Sequence, residues 1–142
     1  MPEAGILLDT HIWIWIVEGA RSRIGRRAVQ AIERESRRAG VLVSAMSVWE
    51  IARLETRGRI RLAQRLEDWV QQALRAPGVR LVELTPEIAI DAGRLAVTVP
   101  GDPVDRILLA TARSVGARLA TCDERLLAFG GEGHVAVLDG RH

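Results

Sequence analysis

Lysine is missing altogether: all 20 cationic residues among the 142 are arginine. A P-loop needs a lysine to reach nucleotide phosphates, and Schiff-base chemistry needs a lysine amine, so both are excluded. Cysteine occurs once, as Cys122, which rules out an internal disulfide and a cysteine-rich metal site. The longest wholly apolar run, Ile12 to Val17, is far too short to span a bilayer. The first residues lack the basic segment, apolar core and small-residue cleavage site of a secretory signal. These absences lead us to expect a cytoplasmic protein without membrane association. A Gly-x-Ser-x-Gly elbow is also absent, and no nucleophile–histidine–acid set can be assembled, so a serine or cysteine hydrolase finds no support. No repeat, low-complexity segment or linker divides the chain, and residues 1–142 read as one domain.

What is present is an ordinary globular composition, 48% hydrophobic and 27% charged, enough for one sizeable core. The formal charge of +2 is unevenly spread. Between Ala20 and Gly40 seven arginines face Glu33 and Glu35, and between Arg53 and Arg65 five face Glu55 alone. Such blocks are usually solvated helix faces, but they suit a phosphate track or an acidic partner equally well, and charge alone does not decide.

Gly5 to Asp9 reads as a short buried strand ending on a carboxylate. Thr10 to Glu18 is apolar at nearly every position, which fits strand or buried helix; a strand across both stretches would be unusually long, favouring strand then helix. Ile24, Ala28, Ala31 and Ile32 mark an amphipathic helix over Arg23 to Ala39. Val41 to Met46 reads as a second strand, and Ser47-Val48-Trp49-Glu50 as a capping box opening a helix to about Arg57. Leu62, Leu66, Trp69, Val70, Ala73 and Leu74 mark another helix, stopped by Pro77-Gly78. Arg80 to Leu84 is a third strand, and Thr85-Pro86-Glu87 starts a helix to about Ala96. Asp102-Pro103-Val104-Asp105 starts a helix from Pro103 to Val115 with Gly116 as its C-cap. Arg118 to Cys122 is a fourth strand ending at Asp123. A turn over Glu124 to Phe129 and a glycine-rich loop lead to a last strand, Val135 to Leu138.

Short apolar strands alternating with helices imply crossover connections and an α/β fold, a parallel sheet of about five strands covered on both faces. Ligands of such sheets bind outside the carboxyl ends of the strands. Asp9 and Asp123 end strands there, while Glu50 and Asp105 fall in first turns of helices on the same edge. Singly, each of these acids, like Asp102, has a capping role. Together they repel one another by something on the order of several kcal/mol in a partly dry site, which a divalent cation removes. Oxygen-only ligands select Mg²⁺ or Mn²⁺ over zinc. His11 lies near Asp9 and could touch the site but reads better as a helix-surface or core residue, Cys122 reads as a buried strand residue, and Trp13, Trp15, Trp49 and Trp69 read as core packing in preference to base stacking.

Four segments, Leu7-Leu8-Asp9-Thr10, Ser47-Val48-Trp49-Glu50-Ile51, Asp102-Pro103-Val104-Asp105-Arg106-Ile107-Leu108 and Leu119-Ala120-Thr121-Cys122-Asp123, occur in the order and spacing of PIN-domain ribonucleases. The chain most resembles the VapC-type toxins of toxin–antitoxin pairs. The resemblance covers almost the whole chain and rests on the four motifs jointly. It implies a three-layer α/β/α fold, with Asp9, Glu50, Asp105 and Asp123 as catalytic and metal-binding residues and Asp102 as an auxiliary ligand candidate. Thr10 and Thr121 match neighbours that orient ligands or water, and Arg106 matches a residue that braces the site by pairing with an acid. The implied activity is Mg²⁺-dependent endoribonuclease action on RNA phosphodiesters, Mn²⁺ being the substitute ion. The implied partners are a small antitoxin protein and a second copy in a homodimer. One departure is visible: many relatives carry histidine where this chain has Gly101.

Among rivals, a housekeeping PIN nuclease of RNA maturation or decay keeps the same site but has no toxic effect on expression. A non-catalytic binding module predicts missing acids, and all four are present. Response receivers and haloacid-dehalogenase-type phosphatases also place acids at strand ends, but both expect a lysine in the site.

Overall fold

The structure of the chain, a computed structural model, describes residues 5–95 and 102–142. Gly101, and the expected end of a helix near Ala96, lie outside the described residues. Five short parallel strands, β1 (Ile6–Leu8), β2 (Val41–Ser44), β3 (Val79–Val82), β4 (Arg118–Thr121) and β5 (Val137–Asp139), form one sheet in the order β3-β2-β1-β4-β5. The chain therefore winds outward from β1 to β3, then crosses back to β4 on the other side of β1. Such a reversal opens a crevice at the carboxyl ends of the two central strands. In register, Leu8 lies opposite Ala120, and Asp9 N–H donates to Ala120 O at 2.9 Å, so the residues following β1 and β4 emerge side by side.

Alternation along the strands builds the layers. Ile6, Leu8, Val41, Val43 and Ala120 pack with Ile12 and Trp13 of α1 (Thr10–Val17), Ala28 and Ile32 of α2 (Arg26–Ser36), Ile51 of α3 (Ala45–Thr56) and Trp69 of α4 (Leu66–Arg75). Leu7, Leu42 and Leu119 point the other way, onto Val104, Leu108 and Leu109 of α6 (Pro103–Val115) and Leu126 of α7 (Glu124–Gly131). Outside α6 lies α5 (Pro86–Arg94), whose Ile88 and Ala92 meet Ala110. This is the α/β/α arrangement expected. No helix among the described residues is long and apolar enough to cross a membrane.

Three expectations need correction. The helix expected from Ser47 begins at Ala45, capped by Ser44, whose hydroxyl accepts from Met46 N–H at 3.0 Å. Two capping-competent serines three residues apart bracket that start, and the apolar Ala45-Met46 pair disguised it as strand. Glu50 accordingly sits in the second turn, not the first. The basic helix is also shorter than Arg23 to Ala39, because Arg21–Arg23 forms a separate turn of 3₁₀ helix. The turn after Asp123 is a true helix that extends through Gly130 to Gly131, where a side chain on Gly130 would collide with Val137.

The start of β1 depends on Gly5. Its φ of +100° disfavours any L side chain, and a Cβ there would lie 2.2 Å from Gly40 O. Gly5→Ala should destabilise the protein by about 2 kcal/mol or more in denaturant titration, since strain and clash act together.

Candidate functional site

Three helices point their N-termini at the β1/β4 crevice, and each is capped by a carboxylate. Asp9 caps α1, accepting Thr10 N–H on Oδ1 at 2.7 Å. Asp102 caps α6, accepting Val104 N–H at 2.8 Å, with Pro103 preorganising the first turn. Asp123 caps α7, accepting from Arg125 and Leu126 N–H at 2.8 and 3.3 Å. Asp105 follows in the first turn of α6, and Glu50 reaches in from α3. All five acids line one cleft of about 310 Å³. Among the described residues, no group of three His, Cys, Asp or Glu side chains closes around a single point. The acids are thus neighbours across a pocket wall and not a pre-collapsed ligand cage.

Their electrostatics report the crowding. Asp105 is pushed up to about 7, by burial first and then by the charges of Asp9, Asp102, Asp123 and Glu50. Burial likewise raises Asp9, opposed by hydrogen bonds from Thr121 and Thr10. Glu50 is raised by burial and by Asp9 and Asp102, and held down by the nearby Thr10 side chain and by His11. Every mutual term between the acids is unfavourable, which is the condition a bound cation relieves.

The two threonines form the frame. Thr121, fully buried, donates to Asp9 Oδ2 at 2.7 Å while its oxygen accepts Asp123 N–H at 3.0 Å. One hydroxyl thereby ties the acid after β1 to the acid after β4. Thr10, also buried, donates to Ser47 Oγ at 2.9 Å, joining α1 to α3 one turn before Glu50. Arg106 donates to Ala92 O and Leu95 O at 3.2 and 2.5 Å, so the residue after Asp105 ties α6 to the end of α5.

Several contributors went unread in the sequence. Arg125 lines the cleft and approaches Asp123 Oδ2 at 3.5 Å and Asp105 Oδ2 at 4.0 Å. Its signal was its place two residues after the capping Asp123, within the first turn of α7. His11, taken for a surface or core residue, and Cys122 line the same cleft; burial raises the Cys122 thiol, which keeps it protonated. The tryptophans divide. Trp13 and Trp69 are core residues in edge contact at 5.1 Å, whereas Trp15 lines the cleft and Trp49 is 49% exposed. On α3 the buried positions are Ser47 and Ile51, and a residue two away from both must face the opposite side. That overturns the expectation that Trp49 packs in the core.

A doubly wound α/β/α sheet with carboxylates and helix N-termini gathered at its switch point defines an acidic-centre α/β protein, suited by donor chemistry to a hard divalent cation. A PIN-domain family model matches residues 6–132, and the chain belongs to the PIN-domain family. It is 41% identical over 121 residues to Ribonuclease VapC22 of Mycobacterium tuberculosis, covering 85% of this chain and 88% of that one. The fold is shared with VapBC2 of Rickettsia felis, solved bound to a promoter DNA fragment, at a TM-score of 0.69 and 11% identity over 94% of this chain and 97% of the other. It is shared too with VapBC-1 of nontypeable Haemophilus influenzae, at a TM-score of 0.63 and 20% identity over 96% and 98%.

Two substitutions should move stability in opposite directions in metal-free buffer. A raised carboxyl favours the neutral form, so the fold loses stability as pH climbs from the unfolded value of 3.8 through about 7. Asp105→Asn should therefore raise the melting temperature at about pH 8 and change it much less at about pH 5. Thr121→Val should lower it at both, through a loss of about 1–3 kcal/mol of stability, because Asp9 and the Asp123 amide each lose a partner. Thermal melts of both variants at the two pH values check the signs.

Proposed function

We propose that this chain is an endoribonuclease of the VapC kind, the toxin of a toxin–antitoxin pair, hydrolysing RNA phosphodiesters with Mg²⁺, or Mn²⁺ in its place. The observation that carries this reading is the meeting of Asp9, Glu50, Asp102, Asp105 and Asp123 at one cleft across the switch point. The 41% identity to a ribonuclease agrees with it. Residues 1–142 act as one PIN domain located in the cytoplasm.

The residues fit the ion. The cleft offers hard oxygen donors, and the Arg125 guanidinium already lies against Asp105 and Asp123, where a positive charge is needed. Asp9, Glu50, Asp105 and Asp123 would hold the cation, with Asp102 as an auxiliary. Bound there, it supplies Lewis acidity toward a water and the phosphate oxygens. The chain's own groups do the rest. Thr121 fixes Asp9 with one oxygen turned to the helix and the other to β4. Glu50 and Asp123 are the carboxylates positioned to accept the water's proton, and no protein nucleophile is required. Arg125, on the cleft wall beside Asp105 and Asp123, is placed to meet the phosphate.

The antitoxin would block the cleft most simply with a basic side chain, filling the position that Arg125 partly occupies. A neighbouring reading frame for such a small protein is the corresponding genomic observation. A homodimer is the assembly the family resemblance favours.

Asp9→Asn and Asp105→Asn should each reduce Mg²⁺-dependent RNA cleavage by about a thousandfold or more, with circular dichroism unchanged. Excess EDTA should do the same to the wild type. Full cleavage by either variant, or in EDTA, would overturn the reading.

A further inference from the structure

Beside the acidic cleft, and sharing Glu50 and Asp102 with it, lies a second groove of about 620 Å³ of opposite character. Its walls include Met46, Trp49, Arg53, Arg57, Arg59 and Pro103. Among the described residues that line it, the only acids are the two it shares with the cleft. Trp49 leaves about half its surface in water, and the Arg53 guanidinium lies 5.4 Å from its ring centroid. A tryptophan held this way presents a large π surface at low entropic cost. Along α3, Glu50, Arg53 and Arg57 follow one another at helical spacing, so the acid of the cleft and the last cation of the row are about 10 Å apart. The arginine block from Arg53 onward thus has a direction: it runs away from the reacting centre.

We propose that this groove is a nucleotide subsite, in which one unpaired base of the RNA stacks on Trp49 while Arg53, Arg57 and Arg59 hold the phosphates flanking it. The proposal rests on the ribonuclease reading for the strand's identity, and it adds how that strand is held. Single-stranded RNA is recognised by splayed bases on aromatic and guanidinium planes, and a cationic groove with a stacking platform suits it without sequence preference. A polyanion entering the neighbouring cleft meets five carboxylates against one arginine, so without a cation there most of its grip comes from outside the cleft. A peptide segment of a protein partner is the competing occupant, but three arginines lining one groove beside an exposed ring match a phosphate strand more directly.

The test uses the full chain in EDTA, where RNA is not cut, with a short fluorescein-labelled oligouridylate as probe. Wild-type tryptophan emission should be quenched on binding, and most of that quenching should vanish in Trp49→Phe. Trp49→Ala should weaken binding about tenfold or more by anisotropy. It should have little effect on an abasic strand of equal length, which has phosphates but no bases to stack. Arg53→Ala/Arg57→Ala should weaken both strands and reduce the salt slope by about 1.4. Arg75→Ala, which removes a cation from α4, should change neither. In Mg²⁺, Trp49→Ala should raise KM with kcat held. Equal affinity of wild type and Trp49→Ala for oligouridylate, or an equal loss on the abasic strand, overturns the subsite even if cleavage proceeds. Loss of inhibition by a protein partner with RNA binding intact assigns the groove to that partner and overturns it too. Trp49-dependent binding without Mg²⁺-dependent cleavage leaves the subsite standing and defeats the ribonuclease reading instead.

Discussion

Repulsion among carboxylates at the ends of β1 and β4 is the constraint around which the rest of the site is arranged. Five acids line one cleft, and Asp105 feels the charges of the other four in addition to its burial. Each nearby device lowers that repulsion a little. The positive ends of α1, α6 and α7 are turned toward the cleft, and their free N–H groups are taken by Asp9, Asp102 and Asp123. Thr121 adds a hydroxyl donor to Asp9. Arg125 adds a whole charge, 3.5 Å from Asp123 and 4.0 Å from Asp105.

Two of the capping acids use their two oxygens differently. Asp9 gives Oδ1 to the Thr10 amide and Oδ2 to Thr121. Asp123 gives Oδ1 to the amides of α7 and turns Oδ2 toward Arg125. The cap fixes one oxygen of each carboxylate and thereby orients the other, Asp9 Oδ2 toward Thr121 and Asp123 Oδ2 toward Arg125. Asp105 has no cap of its own to make, and the Arg106 anchor to α5 beside it keeps the first turn of α6 in place. A helix start is therefore the means by which a flexible side chain becomes a fixed wall.

Most of this was legible in the residues. Apolar runs ending on acids located β1 and β4, and the proline between Asp102 and Asp105 located α6, because these are local signals with one dominant physical cause. The errors arose where two causes overlapped. Ser44 and Ser47 both cap well, and only the buried Thr10–Ser47 hydrogen bond distinguishes them, which is a tertiary contact. Trp49 was misassigned because four tryptophans among apolar neighbours look alike until the helical phase is known, and that phase depended on where α3 began. Arg125 was one arginine among 20; its meaning comes from facing Asp105 on a helix distant in sequence.

The two arginine-rich segments, indistinguishable by composition, separate once their surroundings are known. In the first, Arg21 pairs with Glu33, Arg38 approaches Glu35, and Arg23 lies over Trp15, so much of its charge is spent within the fold. In the second, Arg53, Arg57 and Arg59 converge on a groove whose acids, among the described residues, are only the Glu50 and Asp102 it shares with the cleft. A small net charge of +2 is thereby resolved into an acidic centre and an adjoining cationic track. That polarity is what a phosphodiester strand requires: anion-repelling oxygens tolerable only with a cation at the reacting phosphate, and guanidinium groups for the phosphates beside it.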